Sequence, residues 1–370
     1  MHIKNLSIVN FKNYKEASIE LHPKLNCLVG DNGAGKTNIL DAIFYLCMCK
    51  SYFHSTDLYS VYSGAEFMVL QADFIRNNKT EEIYCGLKLN KKKQFRRNKK
   101  EYARLSEHIG LFPVVMVSPA DIQLILDGSE ERRKYINSVI SQYNKKYLND
   151  VISYNKVLGQ RNRLLKDLPK DRSQLDLLEV FDNQLIDLGN AIFAARNKFI
   201  KDFIPVFNKY YSIISGNRES VELVYNSQLR SDDFSESLKN ARNRDLALQF
   251  TTVGIHKDDL VLNLNGAHIK KTGSQGQQKT YLVSLKLAQF DFLKQVKKIL
   301  PVLLLDDVFD KFDVHRVKQI LQLVADESFG QIFITHTSVG RMKELMNELG
   351  INHKLFFVEK GTIEEMNQKP

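Results

Sequence analysis

Short apolar runs separated by polar turns occupy the start of the chain, and this spacing is typical of strands. The third run is followed by apolar residues at helical positions i, i+3, i+4, i+7 and i+8, which are Ile39, Ala42, Ile43, Leu46 and Cys47. Further apolar residues between them predict a helix that is buried on most sides. The predicted strands are Ile3–Val9, Ala17–Leu21, Leu25–Val29, Phe67–Phe74, Ile83–Leu89 and Val114–Val117.

The pattern becomes helical between about Asp121 and Tyr211, where strand signals vanish. Leu168-Pro169-Lys170 is expected to separate two of the helices in this stretch. One apolar series has a 3-3-4 spacing: Leu175, Leu178, Phe181 and Leu185. We therefore predict a mostly helical lobe inserted into a domain that contains a sheet.

Strands return after about Glu222 and alternate with helices to the end of the chain. Without a repeat of fixed period, one interrupted α/β domain explains this order better than three consecutive domains. We predict an N-terminal part over 1–118, a helical lobe over 119–220 and a C-terminal part over 221–370. Strands are predicted at Ala247–Val253, Leu260–Leu264, Val302–Asp306, Gln331–Thr335 and Leu355–Glu359, with helices near 276–297, 313–325 and 339–348.

Composition restricts the class of protein. Of the 370 residues, 43% are apolar and 26% charged, which excludes disordered and collagen-like proteins. The longest apolar run, Ala42–Cys49, is far shorter than the ~18 residues of a membrane-spanning helix. The N-terminus has no signal-peptide pattern, so we expect a soluble cytosolic protein.

The four cysteines lie in apolar runs and are expected to be buried, inert thiols: Cys27, Cys47, Cys49 and Cys85.

The formal net charge of +10 favours a polyanionic partner, either nucleic acid or an anionic membrane. One run is strongly basic, and it supplies the DNA-binding candidates Lys91, Lys92, Lys93, Arg96, Arg97, Lys99 and Lys100. A solvated charged face explains such a run as well as phosphate contact does. Phe95 is its only aromatic residue, so no base-stacking platform is predicted. Asn98-Lys99-Lys100 is expected at the tip of a hairpin.

The segment between the third strand and the first helix fits the pattern G-x-x-x-x-G-K-[ST] of a P-loop. Glycines let backbone N–H groups wrap the phosphates, and the helix N-terminus favours their negative charge. Lys36 would contact the β and γ phosphates of a nucleotide, and Thr37 would offer a hydroxyl to Mg²⁺. The predicted nucleotide ligands are Gly30, Asp31, Asn32, Gly33, Ala34, Gly35, Lys36 and Thr37.

Two acidic residues follow an apolar strand, which would deliver them to the sheet edge that carries the P-loop. Asp306 is the candidate for Mg²⁺, and Asp307 could polarise the attacking water. A simple turn or helix cap is the alternative for both residues. His336 ends another strand where a γ-phosphate sensor would lie, although a structural histidine is the usual interpretation.

A second glycine-containing turn, Thr272–Gln278, precedes a predicted helix. Ser274 can cap that helix, and the free N–H groups at its start would attract an anion. Alone, the pattern indicates a helix start. Beside a P-loop and an acidic strand end, it predicts a second phosphate contact through Ser274 and Gly276.

In this order, and with a helical insert, these features resemble the ATPase heads of the ABC and SMC superfamily, and more closely the RecF family. Asp306-Asp307 is similar to the RecF pattern, whereas ABC and SMC heads generally carry Asp-Glu. Other RecF-like segments are Asn10–Tyr14, Val117–Ile122, Glu131–Lys134, Gln160–Lys166, Gly254–Leu260, Ser274–Thr280 and Leu305–Phe309.

The resemblance implies a head that binds ATP with Mg²⁺ and dimerises around it, each signature turn closing on the other protomer's P-loop. Such dimers bind gapped DNA without sequence specificity, and RecR and RecO are their partners. The resemblance assigns Asp306 to the metal, Asp307 to catalysis and His336 to sensing. It assigns Ser274 and Gly276 to contacts in trans. Lys12 and Asn13 are expected near the nucleotide base.

The chain departs from ABC-type heads at two places. Val117-Ser118-Pro119 stands where a metal-sensing glutamine is expected, and Gln123 comes later, on a predicted helix. An aspartate at 307 has a shorter reach than glutamate, which favours slow turnover.

Three other functions remain possible from the sequence. A transporter ATPase would normally be smaller and would lack both the lobe and the Asp-Asp pair. A P-loop kinase would not need the Ser274 turn. An SMC structural head would need far more heptad residues than the insert holds.

Overall fold

The computed structural model describes residues 1–168, 175–217, 219–230, 233–308, 314–325, 328–350 and 352–366. Up to Asp121 the elements are β1 (His2–Phe11), β2 (Tyr14–Glu20), β3 (Leu25–Val29), α1 (Lys36–Met48), β4 (Phe67–Arg76), β5 (Lys79–Lys88), β6 (Gln94–Arg97), β7 (Lys100–Glu101) and β8 (Val114–Val117). The middle of the chain holds α2 (Gln123–Leu126), α3 (Ser129–Ser141), α4 (Lys145–Asp167), α5 (Leu175–Ser215), β9 (Val221–Asn226), α6 (Phe234–Leu248), β10 (Asp259–Leu264), β11 (Ala267–His268) and α7 (Ile269–Thr272). The last part holds α8 (Gln275–Lys297), β12 (Val302–Leu305), α9 (Val314–Ala325), β13 (Ile332–His336), α10 (Val339–Leu349), β14 (His353–Glu359) and β15 (Thr362–Glu365).

The chain divides into two compact units. The first comprises Met1–Asp121 with Leu282–Pro370, and the second comprises Ile122–Tyr281. The first unit is therefore interrupted by the second. None of the helices among the described residues combines the length and apolar character that crossing a bilayer needs.

Two sheets with α1 between them form the core of the first unit. One sheet is antiparallel, in the order β2-β1-β4-β5-β6-β7, and the other has the order β15-β14-β3-β13-β12-β8. Helix α1 contacts β1, β4 and β5 of one sheet and β8 and β13 of the other. It buries apolar residues on opposite sides, as the sequence predicts, because both of its faces meet a sheet.

The second unit consists of helices packed with a three-stranded antiparallel sheet, in the order β11-β10-β9. Helix α5 contacts β9, and α3 contacts β10. Because these strands pack on the helices, the compact unit extends past residue 220, the expected end of the lobe, to Tyr281. The buried Arg161 guanidinium pairs with Asp182 on α5 and Asp245 on α6, and so ties three helices together.

Most predicted elements agree with the structure, and one is wrong. Residues predicted as a strand at Ala247–Val253 include the last turn of α6, which ends at Leu248. The Thr251 backbone N–H then donates to the Asn162 side chain. This hydrogen bond takes the place of the one that a neighbouring strand would accept. The predicted break at Pro169-Lys170 lies outside the described residues, as do Phe309 of the Leu305–Phe309 segment and residue 313 of a predicted helix.

All four cysteines are buried and unpaired by disulfides, as expected. Burial raises the pKa of the Cys27 thiol to about 12. Burial is also the largest influence on Cys85 and raises the pKa of its thiol to about 12. Thiols held in this protonated state are poor nucleophiles and poor metal ligands.

Candidate nucleotide-binding site

Four parallel strands bring the predicted nucleotide site together at one edge of a sheet. Strand β13 lies between β3 and β12, with His336 opposite Val29 and Ile334 opposite Leu305. Strand β8 continues the sheet on the other side of β12. The segments that follow these strands therefore leave from the same edge. The P-loop, Asp306, Asp307 and His336 belong to those segments or end those strands.

Close packing requires glycine at two P-loop positions. Gly30 has φ 151° and Gly35 has φ 118°, in the region that side chains disfavour. A Cβ on Gly30 would lie 2.1 Å from the Val358 carbonyl oxygen, and one on Gly35 would lie 2.4 Å from Asn13 Nδ2. The loop can take this shape only without side chains at these two points.

The Lys36 ammonium lies inside the loop. Its Nζ donates to the carbonyl oxygens of Gly30, at 2.7 Å, and Asp31, at 2.8 Å. Burial lowers the pKa of Lys36, and the nearby carboxylates, Asp307 first, act in the opposite direction. The cation is thus held where the loop's N–H groups and the start of α1 would receive phosphates.

The metal-ligand candidates Thr37 and Asp306 are in direct contact. Thr37 Oγ1 donates to Asp306 Oδ1 at 2.8 Å, and Thr335 Oγ1 donates to the same oxygen at 2.9 Å. Burial is the largest influence on Asp306 and raises its pKa, while these two hydrogen bonds lower it. A hydroxyl and a carboxylate are the hard oxygen donors that Mg²⁺ takes in nucleotide sites, so this pair fits the metal.

No group of three or more His, Cys, Asp or Glu residues among the described residues could hold a metal ion by itself. A Mg²⁺ at Thr37 and Asp306 would therefore need further oxygen ligands from the nucleotide and water. That division of ligands is usual where Mg²⁺ binds together with phosphates.

Hydrogen bonds fix the backbone of Asp307 and the ring of His336, which directly follow Asp306 and Thr335 in the chain. Asp307 has φ 48°, and its backbone N–H donates to Thr335 Oγ1 at 2.8 Å. The Ser338 N–H donates to His336 Nδ1 at 2.8 Å, so a neutral His336 ring carries its proton on Nε2. Thr335, which no sequence motif indicates, thus bonds to both acidic residues.

In the second unit, Ser274 and Gln277 cap the start of helix α8, because the side chain of each accepts a hydrogen bond from the backbone N–H of the other. The Gln277 N–H donates to Ser274 Oγ at 3.3 Å, and the Ser274 N–H donates to Gln277 Oε1 at 2.7 Å. This is a capping box with glutamine at its third helical position. Ser274, Gln275 and Gly276 are exposed, so the start of this helix is open to a ligand.

Residues from the β1–β2 turn support the P-loop. Asn13 Nδ2 donates to the Ala34 carbonyl at 3.0 Å, and the Tyr14 hydroxyl donates to the Gly35 carbonyl at 3.0 Å. Lys12 pairs with the buried Asp41 carboxylate of α1 at 2.6 Å. Lys12 and Asn13, expected near the nucleotide base, thus contact α1 and the loop. The role of Tyr14 was not predicted, because its partner is a backbone carbonyl.

A buried polar cluster stands where the sequence lacks the expected glutamine. Asp121 accepts the Ser118 N–H at 2.8 Å and pairs with Lys286 of α8 at 2.7 Å. Lys286 also donates to the Tyr52 hydroxyl at 2.8 Å. The three side chains come from distant parts of the chain, so no local motif indicates them. Gln123 lies on the short helix α2.

The basic run forms a hairpin, but not all of its charges face solvent. Strands β6 and β7 pair through Arg96–Glu101 and Arg97–Lys100. Asn98 and Lys99, both with positive φ, form the turn of the predicted hairpin, and Lys100, expected at its tip, begins β7. Lys93 pairs with Asp57 at 2.8 Å, and Arg97 pairs with Glu81 at 2.7 Å. The candidate phosphate contacts thus reduce to the exposed Lys91, Lys92, Lys99 and Lys100, with Arg96 half-buried over the Tyr84 ring.

Comparison with known proteins identifies the family. The model of the RecF/RecN/SMC N-terminal domain matches residues 2–364. The DNA replication and repair protein RecF of Bacteroides thetaiotaomicron is 49% identical over 368 residues, which is 99% of each chain. The chain belongs to the RecF family. The RecF of Flavobacterium johnsoniae is 46% identical over 357 residues, covering 96% of this chain and 99% of that protein.

Solved structures agree with this assignment. A structure of the recombination mediator protein RecF with ATP, from the RecFOR pathway, superposes with a TM-score of 0.90 at 31% identity, covering 99% of this chain and 98% of that one. An Smc head from Pyrococcus furiosus has a TM-score of 0.58 at 17% identity and covers 99% of this chain and 96% of that one, which shows the fold alone. The predicted α/β, SMC-like ATPase head is confirmed, and the family is one of DNA replication and repair proteins. A transporter ATPase is not favoured.

Proposed function

We propose that this RecF-family ATPase is an ATP-dependent DNA-binding protein of recombinational repair and replication restart. ATP would join two copies into a dimer that acts as a clamp at gapped DNA, and slow hydrolysis would release it. The observation that carries this proposal is the contact between Thr37 and Asp306, which joins P-loop and acidic strand end at 2.8 Å. RecR and RecO are the proposed protein partners, since the solved relatives belong to the RecFOR pathway.

The proposed chemistry follows from the positions of these residues. Lys36 and the loop N–H groups bind the β and γ phosphates, and Thr37 with Asp306 would hold Mg²⁺, which would neutralise charge on the phosphates. Asp307 accepts a proton from the attacking water. His336 donates from Nε2 to the γ-phosphate, because its Nδ1 is already an acceptor for Ser338. Ser274 and the open start of α8 contact the phosphates of the other protomer.

Gel filtration tests this function directly. The protein alone should elute as a monomer, ATP should shift it to a dimer, and gapped DNA should shift the dimer further. Lys36→Met is the control, because it loses the charge that holds the phosphates and should remain a monomer with ATP. A wild-type protein that hydrolyses ATP fully as a monomer would contradict the proposal and favour a P-loop kinase.

We predict that the exposed lysines of the basic run 91–100 contact DNA phosphates. Changing Lys91, Lys92, Lys99 and Lys100 to Gln should weaken duplex binding and leave ATP binding unchanged. The slope of log affinity against log salt should decrease by about 0.9 for each phosphate that the variant no longer neutralises. Lys343→Gln, an exposed lysine on α10, is the matched control. An unchanged slope would mean that these lysines form a solvated charged face and do not contact DNA phosphates.

A further inference from the structure

Exposed aromatic residues are unusual in the first unit, and they occur beside the basic hairpin. Among its described residues, the strongly exposed large apolar side chains are Leu58 at 59%, Tyr59 at 65%, Phe67 at 45% and Val296 at 47%. The first three lie within one short stretch between α1 and the start of β4. Exposed apolar side chains that cluster in this way commonly mark a binding surface.

Backbone and side-chain contacts attach this stretch to the lysines of the β5–β6 connection. Phe67 is the direct cross-strand partner of the exposed Lys88, so both side chains lie on one face of the sheet. The Leu89 N–H donates to the Glu66 carbonyl, and the Lys91 N–H donates to the Lys88 carbonyl.

The turn that carries Leu58 and Tyr59 is attached to the same connection. It begins at Asp57, whose carboxylate pairs with Lys93 at 2.8 Å. The Lys93 ammonium also donates to the Tyr45 hydroxyl and the Cys49 carbonyl, which fixes it against the end of α1. Lys91 and Lys92, the two residues before Lys93, remain exposed.

We infer that this end of the sheet binds unpaired bases of single-stranded DNA, through a surface formed by Leu58, Tyr59, Phe67, Lys88, Lys91 and Lys92, which we call the aromatic–lysine surface. The inference rests on the proposed DNA binding and names the part of a gapped substrate that this surface contacts. Lysines would follow the phosphates while the Tyr59 and Phe67 rings stack on bases, the combination typical of single-strand binding. Intact duplex cannot use the rings, because its bases already stack on one another.

Charge supports a nucleic acid as the occupant. Asp57 is neutralised by Lys93, which leaves Glu66 as the exposed carboxylate adjoining three exposed lysines. A purely apolar partner would gain nothing from these lysines. The same surface on a second copy would be repelled, because its exposed lysines outnumber its exposed carboxylate.

The absence of tryptophan from the chain makes a direct test possible. Tyr59→Trp places a single indole on the aromatic–lysine surface. With a non-hydrolysable ATP analogue present, a thymidine oligomer should quench its emission strongly, whereas a closed-hairpin duplex, whose bases cannot stack on the ring, should quench it far less. Val180→Trp is the control, at a residue 49% exposed on α5 of the second unit, and its emission should stay constant.

Affinity measurements with a labelled thymidine oligomer complete the test. Tyr59→Ala and Phe67→Ala should each weaken binding about 5- to 150-fold, the effect expected for one stacked base. Duplex affinity should not change. Both side chains are exposed, so the variants should fold normally.

Two results would overturn the inference. In the first, the oligomer binds wild-type protein while Tyr59→Trp emission stays constant and Tyr59→Ala keeps full affinity. In the second, the emission changes with protein concentration and without DNA, which would identify a second copy as the occupant. Either result leaves the proposed function intact if gapped DNA still binds the ATP-induced dimer. Wild-type protein that binds no DNA at all would contradict both.

Discussion

Asp307→Asn should bind ATP with nearly unchanged affinity and hydrolyse it about 10²- to 10⁴-fold more slowly, the usual cost of losing a general base. Asp306 keeps its bonds from Thr37 and Thr335, so the metal ligands stay in place. The substitution also suits the backbone, because asparagine is among the few residues that adopt positive φ readily, and Asp307 has φ 48°. The hydrogen bond to Thr335 Oγ1 is donated by the backbone N–H of residue 307, so the substitution leaves it in place.

The expected consequence is a long-lived ATP-bound dimer, measured by single-turnover hydrolysis and by gel filtration after nucleotide removal. Glu344→Gln, an exposed acid-to-amide change on α10, is the matched control and should turn over normally. Wild-type turnover by Asp307→Asn would show that another residue accepts the proton from the attacking water.

Ser274→Arg should abolish dimerisation and hydrolysis while a monomer still binds ATP. The P-loop is untouched, so binding of the nucleotide by Lys36 and the loop should persist. The added guanidinium would occupy the space that the other protomer's γ-phosphate needs at the open start of α8. Ser235→Arg is a matched control, because Ser235 is also exposed in the first turn of a helix of the second unit.

Mixing two inactive variants tests whether the site is shared between protomers. Lys36→Met should not bind ATP, whereas Ser274→Arg should bind ATP but be unable to close on the partner's nucleotide. A mixed dimer can hold at most one intact site, formed by the P-loop of Ser274→Arg and the signature turn of Lys36→Met. Partial recovery of ATPase activity on mixing is therefore expected. Full activity of Ser274→Arg as a monomer would exclude the shared site.

Much of the nucleotide site is predictable from sequence because its parts are local. The P-loop needs a strand, a glycine-rich turn and a helix in immediate succession, and Gly30 to Thr37 carry that order in the chain. Asp306 directly follows its strand, so parallel pairing of β12 and β13 suffices to bring it to the edge that holds His336. The family resemblance depends on the same local segments, and the comparisons confirm it.

Surface predictions are less complete, because exposure depends on partners far away in the sequence. Seven of the ten residues in the run 91–100 are basic, yet Lys93 pairs with Asp57 and Arg97 pairs with Glu81. Phe95, the one aromatic residue of the run, is 1% exposed and unavailable for stacking. The exposed rings come instead from Tyr59 and Phe67, which no local pattern links to the lysines.

Sequence alone determined the strand–loop–helix motif, the acidic strand end and the presence of a helical insert, since each depends on neighbouring residues and on periodicity. Tertiary structure decided where the second unit ends, because β9 and β10 pack on its helices. It also decided which basic side chains remain exposed for binding a partner. It brought Tyr52, Asp121 and Lys286 into contact from three distant segments. The physical reason is common to all three cases: pairing and burial depend on distances in space, which spacing along the chain does not record.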